Sequence, residues 1–370
     1  MNPIRVMVVD DSVVVRKIVT DVLSADPDIE VVGTAVNGRT AVAKLDQLRP
    51  DLVTMDIEMP EMNGIDAVRA IRGGGAGQAH SRVPIVMFST LTERGASATL
   101  DALSAGADEY VTKPANVGSV GQSMDSVREQ LIPKIKALTG RPVTMGPART
   151  SATPPPPRPA PPRTGPGKKP AVLVIGSSTG GPEALARVLP QLPASLPVPV
   201  LVVQHMPPVF TRQFAQRLDR LCALRVVEAG DGVPLTPGTV HLAPGDHHLV
   251  IRANGRSPVT SGLTQGPPEN FCRPAVDPLF RSAVTAFDGA VLAVVLTGMG
   301  SDGRNGAAEI RAAGGIVVVQ DQQSSVVWGM PGAISQAGLA DEVLPLDRIP
   351  EAINRHLCAA GAASLVGGAR

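Results

Sequence analysis

Short β-branched apolar runs alternate along this chain with longer stretches in which apolar residues recur at helical spacing. In residues 1–139 the runs Ile4–Val9, Val31–Ala35, Leu52–Met55, Ile85–Ser89 and Tyr110–Thr112 predict strands. Amphipathic stretches near 13–24, 38–48, 64–71, 94–105 and 117–138 predict the helices between and after them. Repeated βα units of this kind predict a doubly wound parallel sheet, its strands buried on both faces. Gly73–Gly77 reads as an inserted, flexible loop. From residue 171 the alternation resumes. Val172–Ile175, Val200–His205 and Val291–Leu296 predict strands, and Pro182–Leu189 a helix, so a second α/β unit with a mostly parallel sheet is expected. Leu235–Leu249 predicts a hairpin turning at Ala243–Asp246.

The two halves are separated by residues 140–170, which hold Pro154–Pro157, seven further prolines and almost nothing apolar to bury. Such a segment predicts an extended linker, able to span on the order of 90 Å at ~3.1 Å per residue. The expected organisation is therefore a first domain over 1–139, a linker over 140–170, a second domain over 171–360 and a tail over 361–370. The overall net charge of +1 hides an uneven distribution: residues 141–170 carry 6 basic side chains and no acidic one. Neither flanking half has the basic excess that nucleic-acid binding requires.

Ser178 lies in Gly176-Ser177-Ser178-Thr179-Gly180-Gly181, directly after an apolar strand and before a helix. The G-x-S-x-G spacing lets the chain turn sharply and leaves a hydroxyl exposed at the tip, with helix-start N–H groups near any oxyanion formed there. A phosphate-binding glycine turn is the alternative, weakened by the lack of a following lysine. A nucleophilic serine needs a base and an orienting acid. His205 ends the second strand, and Asp302 follows the third through Thr297-Gly298-Met299-Gly300-Ser301-Asp302-Gly303. Taken singly, His205 could be a strand-end histidine and Asp302 a helix cap. Three such residues on three strand ends point to catalysis. The order Ser, His, Asp differs from that of ordinary α/β-hydrolases. His247 and His248, in a Gly-Asp-His-His turn, read as solvent-exposed; Cys272 offers another nucleophile but has no base beside it in the sequence.

In the first half, Asp10 and Asp11 end the first strand, Asp56 the third, Ser89 the fourth and Lys113 the fifth. Three carboxylates brought together repel unless a cation binds, and hard oxygen ligands select Mg²⁺. A carboxylate there can attack a phosphoryl group, with the metal and Lys113 neutralising the developing charge.

Aromatic residues make up only 2% of the chain, so both cores must be built from Val, Leu, Ile and Ala. Cys222, Cys272 and Cys358 lack metal-ligand spacing and read as free thiols of a reducing compartment. No apolar run reaches membrane-spanning length, and the first strand begins at Ile4, so no signal peptide is expected.

Residues 1 to about 125 resemble a response-regulator receiver domain, a flavodoxin-like five-stranded fold. Residues 171–360 resemble the catalytic domain of the CheB methylesterases, through Gly176–Gly181, Gln204-His205-Met206, Arg273-Pro274-Ala275-Val276-Asp277 and Thr297–Gly303. The first resemblance implies phosphorylation of Asp56 with Mg²⁺ held by Asp10, Asp11 and Asp56, and a switch involving Ser89, Tyr110 and Lys113. The second implies Ser178 as nucleophile, His205 as base and Asp302 as its orienting acid, with Thr179 and the Met299 N–H helping around the oxyanion. The implied reaction removes methyl esters from glutamates of methyl-accepting chemoreceptors, with deamidation of receptor glutamines as a second activity and no cofactor for either. The implied partners are those receptors and the histidine kinase of a chemotaxis system, in the cytoplasm, with neither nucleic acid nor membrane insertion involved. Two features depart from the resemblance: the linker is long and proline-rich, and Leu365–Arg370 holds no receptor-docking motif. A regulator with a catalytically spent output domain, acting only by partner binding, is the alternative. The presence of Ser178, His205 and Asp302 together argues against it. A transcription factor is opposed by the lack of a basic recognition helix.

Overall fold

The computed structural model describes residues 2–74, 80–113, 120–140, 168–253 and 258–358. Nearly all of the expected linker, the tail at 361–370 and most of the glycine loop lie outside the described residues. The chain divides into two compact units between Ser151 and Ala152.

The first unit is a parallel sheet of β1 (Ile4–Val9), β2 (Ile29–Ala35), β3 (Leu52–Asp56), β4 (Ile85–Ser89) and β5 (Glu109–Thr112), in the order β2-β1-β3-β4-β5. The helices α1 (Val13–Ser24), α2 (Gly38–Leu48), α3 (Gly64–Arg72), α4 (Glu93–Ser104) and α5 (Val120–Leu138) follow the five strands in turn. β3 and β4 are buried along their whole length, as the unbroken apolar runs require. The first four helices start on side-chain caps from Ser12, Asn37, Asn63 and Thr92. These caps satisfy free N–H groups and fix the loops leaving the strands. Chain order reverses between β1 and β3, and a crevice opens beyond the carboxyl ends of strands at such a point.

The second unit holds a parallel sheet in the order β14-β13-β12-β6-β7-β9-β8. Its central strands are β12 (Val291–Val295), β6 (Val172–Ser177) and β7 (Val200–Gln204), flanked by β13 (Ile316–Gln320) and β14 (Glu342–Leu344) on one side. On the other lie β9 (Thr239–Leu242) and β8 (Arg225–Glu228). Val174, Leu201, Ala293 and Val317 from this sheet pack with Val276, Phe280 and Ile310 in one core cluster. Here the reversal falls between β12 and β6, so the same crevice rule applies. The predicted hairpin over Leu235–Leu249 does not form. β9 joins the large sheet in parallel with β7 and β8, while β10 (His248–Arg252) pairs antiparallel with β11 (Thr260–Thr264) in a separate two-stranded sheet. No described helix is long and apolar enough to cross a membrane.

Candidate active site and acidic centre

Ser178 sits between β6 and α6 (Gly181–Val188), at the carboxyl edge of the central strands. Gly180 takes φ +73°, and a Cβ there would fall 2.6 Å from the Val326 side chain, so the turn needs a residue without one. Ser177 and Ser178 have different fates. The Ser177 hydroxyl is fully buried and donates to Gln204 Oε1 at 2.7 Å. Gln204 Nε2 in turn donates to the Ser178 carbonyl at 2.9 Å. Ser178 is half-buried, with no side-chain partner among the described residues. Its own N–H is committed to Thr297 O at 3.0 Å, so it is not free to bind an oxyanion. The N–H groups of Thr179 and Met299 make no hydrogen bond among the described residues. The loop carrying Met299 runs against the serine: a Cβ on Gly298 would lie 2.9 Å from Ser178 Cβ.

Strand register brings His205 to this point. Ser177 pairs with Gln204, and the His205 N–H donates to Ser177 O at 3.2 Å. The imidazole Nε2 lies 2.9 Å from Asp302 Oδ2. Asp302 is 1% exposed; its Oδ2 also accepts from the Val276 N–H at 2.6 Å. Its Oδ1 accepts from the N–H groups of Asp277 at 3.1 Å and Gly303 at 2.9 Å, and from Asn270 Nδ2 at 3.0 Å. Burial opposes ionisation of Asp302, but His205 and these N–H groups outweigh it and hold the carboxyl below its ordinary range. Asp302 is not the cap of α9 (Arg304–Ala312), which is capped at Gly303 without a side-chain bond; its carboxylate instead accepts from the first two N–H groups of the helix that begins at Val276.

The other imidazole nitrogen, Nδ1, faces Cys272 Sγ at 3.4 Å rather than Ser178. This corrects the expectation that Cys272 has no base nearby: the base comes from a strand 67 residues earlier in the chain. The structure thus joins His205 to Asp302 and brings Ser178 to the adjoining strand end, without a Ser178–His205 hydrogen bond among the described residues. Burial disfavours the imidazolium, but the Cys272 sulphur and the Asp302 carboxylate outweigh it, raising His205 to about 10. Asn270 escaped sequence reasoning, and Asp277 entered it only as the last residue of the motif that starts at Arg273, without a role. Asn270 links the Asp302 and Asp277 carboxylates, at 3.0 and 3.1 Å, and no local pattern announces a contact made 32 residues away. His248 is also corrected. It is 3% exposed, accepts from the Ala275 N–H at 3.2 Å and faces Pro267 O at 3.0 Å. The packing of β10 on α8 (Val276–Phe287) buries it.

In the first unit, Asp10, Asp11 and Asp56 each bring a carboxylate oxygen within 4.8 Å of the others. Lys113 Nζ lies 2.8 Å from Asp56 Oδ1 and 3.2 Å from Asp10 Oδ2. Asp56 Oδ1 also accepts from the Ile57 N–H at 2.7 Å, while Oδ2 is buried without a hydrogen-bond donor. Burial raises Asp56 to about 6; Lys113 offsets part of this and Asp10 adds to it. An all-oxygen donor set with two buried oxygens lacking a hydrogen-bond donor, Asp10 Oδ2 and Asp56 Oδ2, fits a hard divalent cation such as Mg²⁺. α3 closes over this strand end: a Cβ at Gly64 would fall 2.0 Å from the Asp56 carbonyl oxygen. Ser89 is turned towards α4, donating to Gly95 O at 3.1 Å and accepting from Thr99 Oγ1 at 2.5 Å. Tyr110 is buried on β5, with Lys134 Nζ 5.1 Å from its ring centre.

A doubly wound unit with an acidic centre, followed by a hydrolase-type α/β unit, defines a response regulator with an enzymatic output. Family models agree: that of the response regulator receiver domain matches residues 6–124, and that of the CheB methylesterase matches 173–353. A Nocardioides sp. protein named protein-glutamate methylesterase/protein-glutamine glutaminase is 63% identical over 362 residues, covering 96% of this chain and 96% of its own. A Trichodesmium erythraeum protein of the same name is 46% identical over 371 residues, covering 96% of this chain and 100% of its own. The crystal structure of the Thermotoga maritima CheB methylesterase catalytic domain is 44% identical, with TM-score 0.49, covering 50% of this chain and 97% of that one. The chain belongs to the CheB family of receiver-linked protein-glutamate methylesterases, which are carboxylic ester hydrolases.

Proposed function

We propose that residues 171–360 hydrolyse glutamate γ-methyl esters on chemoreceptors with Ser178 as nucleophile. Residues 1–139 would control this through phosphorylation of Asp56 by a chemotaxis histidine kinase, with 140–170 as linker and 361–370 as tail. The observation that supports the chemistry best is the His205–Asp302 pair, 2.9 Å apart, at the strand end next to Ser178. Ser178 Oγ attacks the ester carbonyl as His205 takes its proton. The Thr179 and Met299 N–H groups receive the oxyanion, and His205 returns the proton to the departing methanol. Water, deprotonated by His205, then releases glutamate and frees the serine. A glutamine side chain enters the same path with ammonia as leaving group. His205 meets Ser178 only after leaving Cys272, an adjustment of the kind that substrate binding brings to catalytic hydrogen bonds.

In the first unit Asp10, Asp11 and Asp56 would hold Mg²⁺, which supplies charge neutralisation for phosphoryl transfer. Of the two Asp56 oxygens, Oδ2 has no donor and is the one available to take the phosphoryl group. Lys113 stabilises the negative charge beside it, and Ser89 and Tyr110 then rearrange to carry the change outward.

The contact between Cys272 and His205 favours a second reading, in which Cys272 is the nucleophile. Methanol release from methylated receptor, with and without a small phosphodonor, separates the two. Ser178→Ala should lower it by several orders of magnitude and Cys272→Ala by less than tenfold. The reverse pattern would move the nucleophile to Cys272. No stimulation by the phosphodonor would remove the control assigned to Asp56.

A further inference from the structure

Phe271 is 87% exposed, more than any other large apolar side chain among the described residues. Aromatics are scarce in this chain, and Phe210, Phe214 and Phe280 are fully buried. Phe271 also stands in a backbone conformation that a bulky residue avoids. Glu269 and Cys272 exchange backbone hydrogen bonds, Glu269 N–H to Cys272 O at 3.1 Å and Cys272 N–H to Glu269 O at 2.9 Å. The two residues between them take φ +49° at Asn270 and +65° at Phe271. A tight turn with both central residues in the left-handed region favours Asn followed by Gly. Asn270 fits that rule and Phe271 breaks it.

The neighbours of Phe271 hold it there. Asn270 is tied to Asp302 and Asp277, Cys272 contacts His205, and Glu269 pairs with Arg281 at 2.6 Å. The held turn therefore leaves the ring in solvent, one residue from a group that touches the catalytic imidazole. Strain of this kind persists where the surrounding structure over-determines it, and it concentrates at functional sites. A freely exposed phenylalanine adds nothing to the fold that glycine would not improve.

We propose that Phe271 reads the substrate: its ring docks on apolar side chains flanking the target glutamate of the receptor segment. This rests on the esterase function proposed above. The position accounts for both anomalies, since docking needs the ring exposed and the turn aims it from the rim of the site.

The test uses the full chain with phosphodonor and two substrates, methylated receptor and N-acetylglutamate γ-methyl ester. Phe271→Gly suits the turn, so its melting temperature should not fall. The ratio of kcat/KM for receptor to that for the small ester should drop about tenfold or more, mainly through KM. Phe271→Leu should recover part of the loss. In a Ser178→Ala background, receptor binding should weaken by a similar factor on adding Phe271→Gly. An unchanged ratio, or an equal fall on both substrates, would overturn the proposal; the latter would mean that the turn only positions His205. Faster turnover by the unphosphorylated Phe271→Gly chain at an unchanged ratio would assign the ring to intramolecular cover instead. If the native chain cleaved neither ester, the esterase function would fail, while the binding comparison would still decide the role of Phe271.

Discussion

Asp302→Asn changes one atom at the centre of the hydrogen-bond network around His205, and its consequence can be worked out donor by donor. Asp302 Oδ1 accepts from Asp277, Gly303 and Asn270, and Oδ2 from Val276 with His205 opposite. An amide nitrogen at the Oδ1 position would confront all three of its donors. At the Oδ2 position it orphans only the Val276 N–H, so the amide adopts that orientation. One unsatisfied buried donor costs about 1–3 kcal/mol. For a domain of this size that lowers the melting temperature by roughly 2–4 °C per kcal/mol. The larger effect is on the imidazole. An amide N–H donates to Nε2, which moves the ring proton to Nδ1, the nitrogen that must accept the serine proton. The wrong tautomer costs on the order of 10⁴ in turnover elsewhere, about 5 kcal/mol of transition-state stabilisation. The assay is single-turnover methanol release from methylated receptor, with receptor affinity measured separately. We expect turnover to collapse while affinity holds. Turnover within tenfold of the native protein would refute the reasoning and leave Asp302 a structural residue.

Because the base must be neutral and Cys272 and Asp302 raise His205 to about 10, kcat/KM for the ester should climb with pH well above the ordinary histidine range. Cys272→Ala should move that rise to lower pH, and an unmoved profile would show that the thiol does not govern the ring. The same raised value means that His205 favours the folded second unit fully below about pH 6.5 and loses that contribution as pH passes about 10; thermal melts across this range check it. For the first unit, Asp56→Asn should abolish acyl-phosphate labelling by a small phosphodonor, and label that persisted would place the phosphoacceptor elsewhere. In chelator at neutral pH the same substitution should stabilise the first unit, by at most about 3 kcal/mol, because burial raises Asp56 from 3.8 to about 6 and disfavours its ionised form. A lower melting temperature would mean that the Lys113 contact outweighs burial.

The division into alternating strands and helices was legible because buried parallel strands read as unbroken apolar runs and their helices as amphipathic repeats. Short-range rules also reached the ends of those strands. Gly180 and Gly181 announced a sharp turn at Ser178, and the placement of Asp10, Asp56 and Lys113 at strand ends announced an acidic centre with a cation beside it. The hairpin expected before Leu249 failed because a turn signal says where the chain bends and not which neighbour the next strand finds; β9 found β7 and β8 in the large sheet. The burial of His248 escaped for a similar reason, since it depends on α8 packing across β10. The local G-x-S-x-G spacing singled out Ser178 as the hydroxyl at the tip, but only the pairing of β6 with β7 set Ser177 against Gln204. Nor could spacing reveal the Cys272–His205 contact or the Asn270 bridge, which join segments far apart in the chain. The sequence by itself determined the periodicities, the caps and the residue types at each strand end, because these depend on neighbours within a few positions. The tertiary structure decided strand order, and with it which strand ends meet, which partner the Ser177 hydroxyl finds and which nitrogen faces which partner. Those outcomes depend on distances between segments that no local interaction constrains.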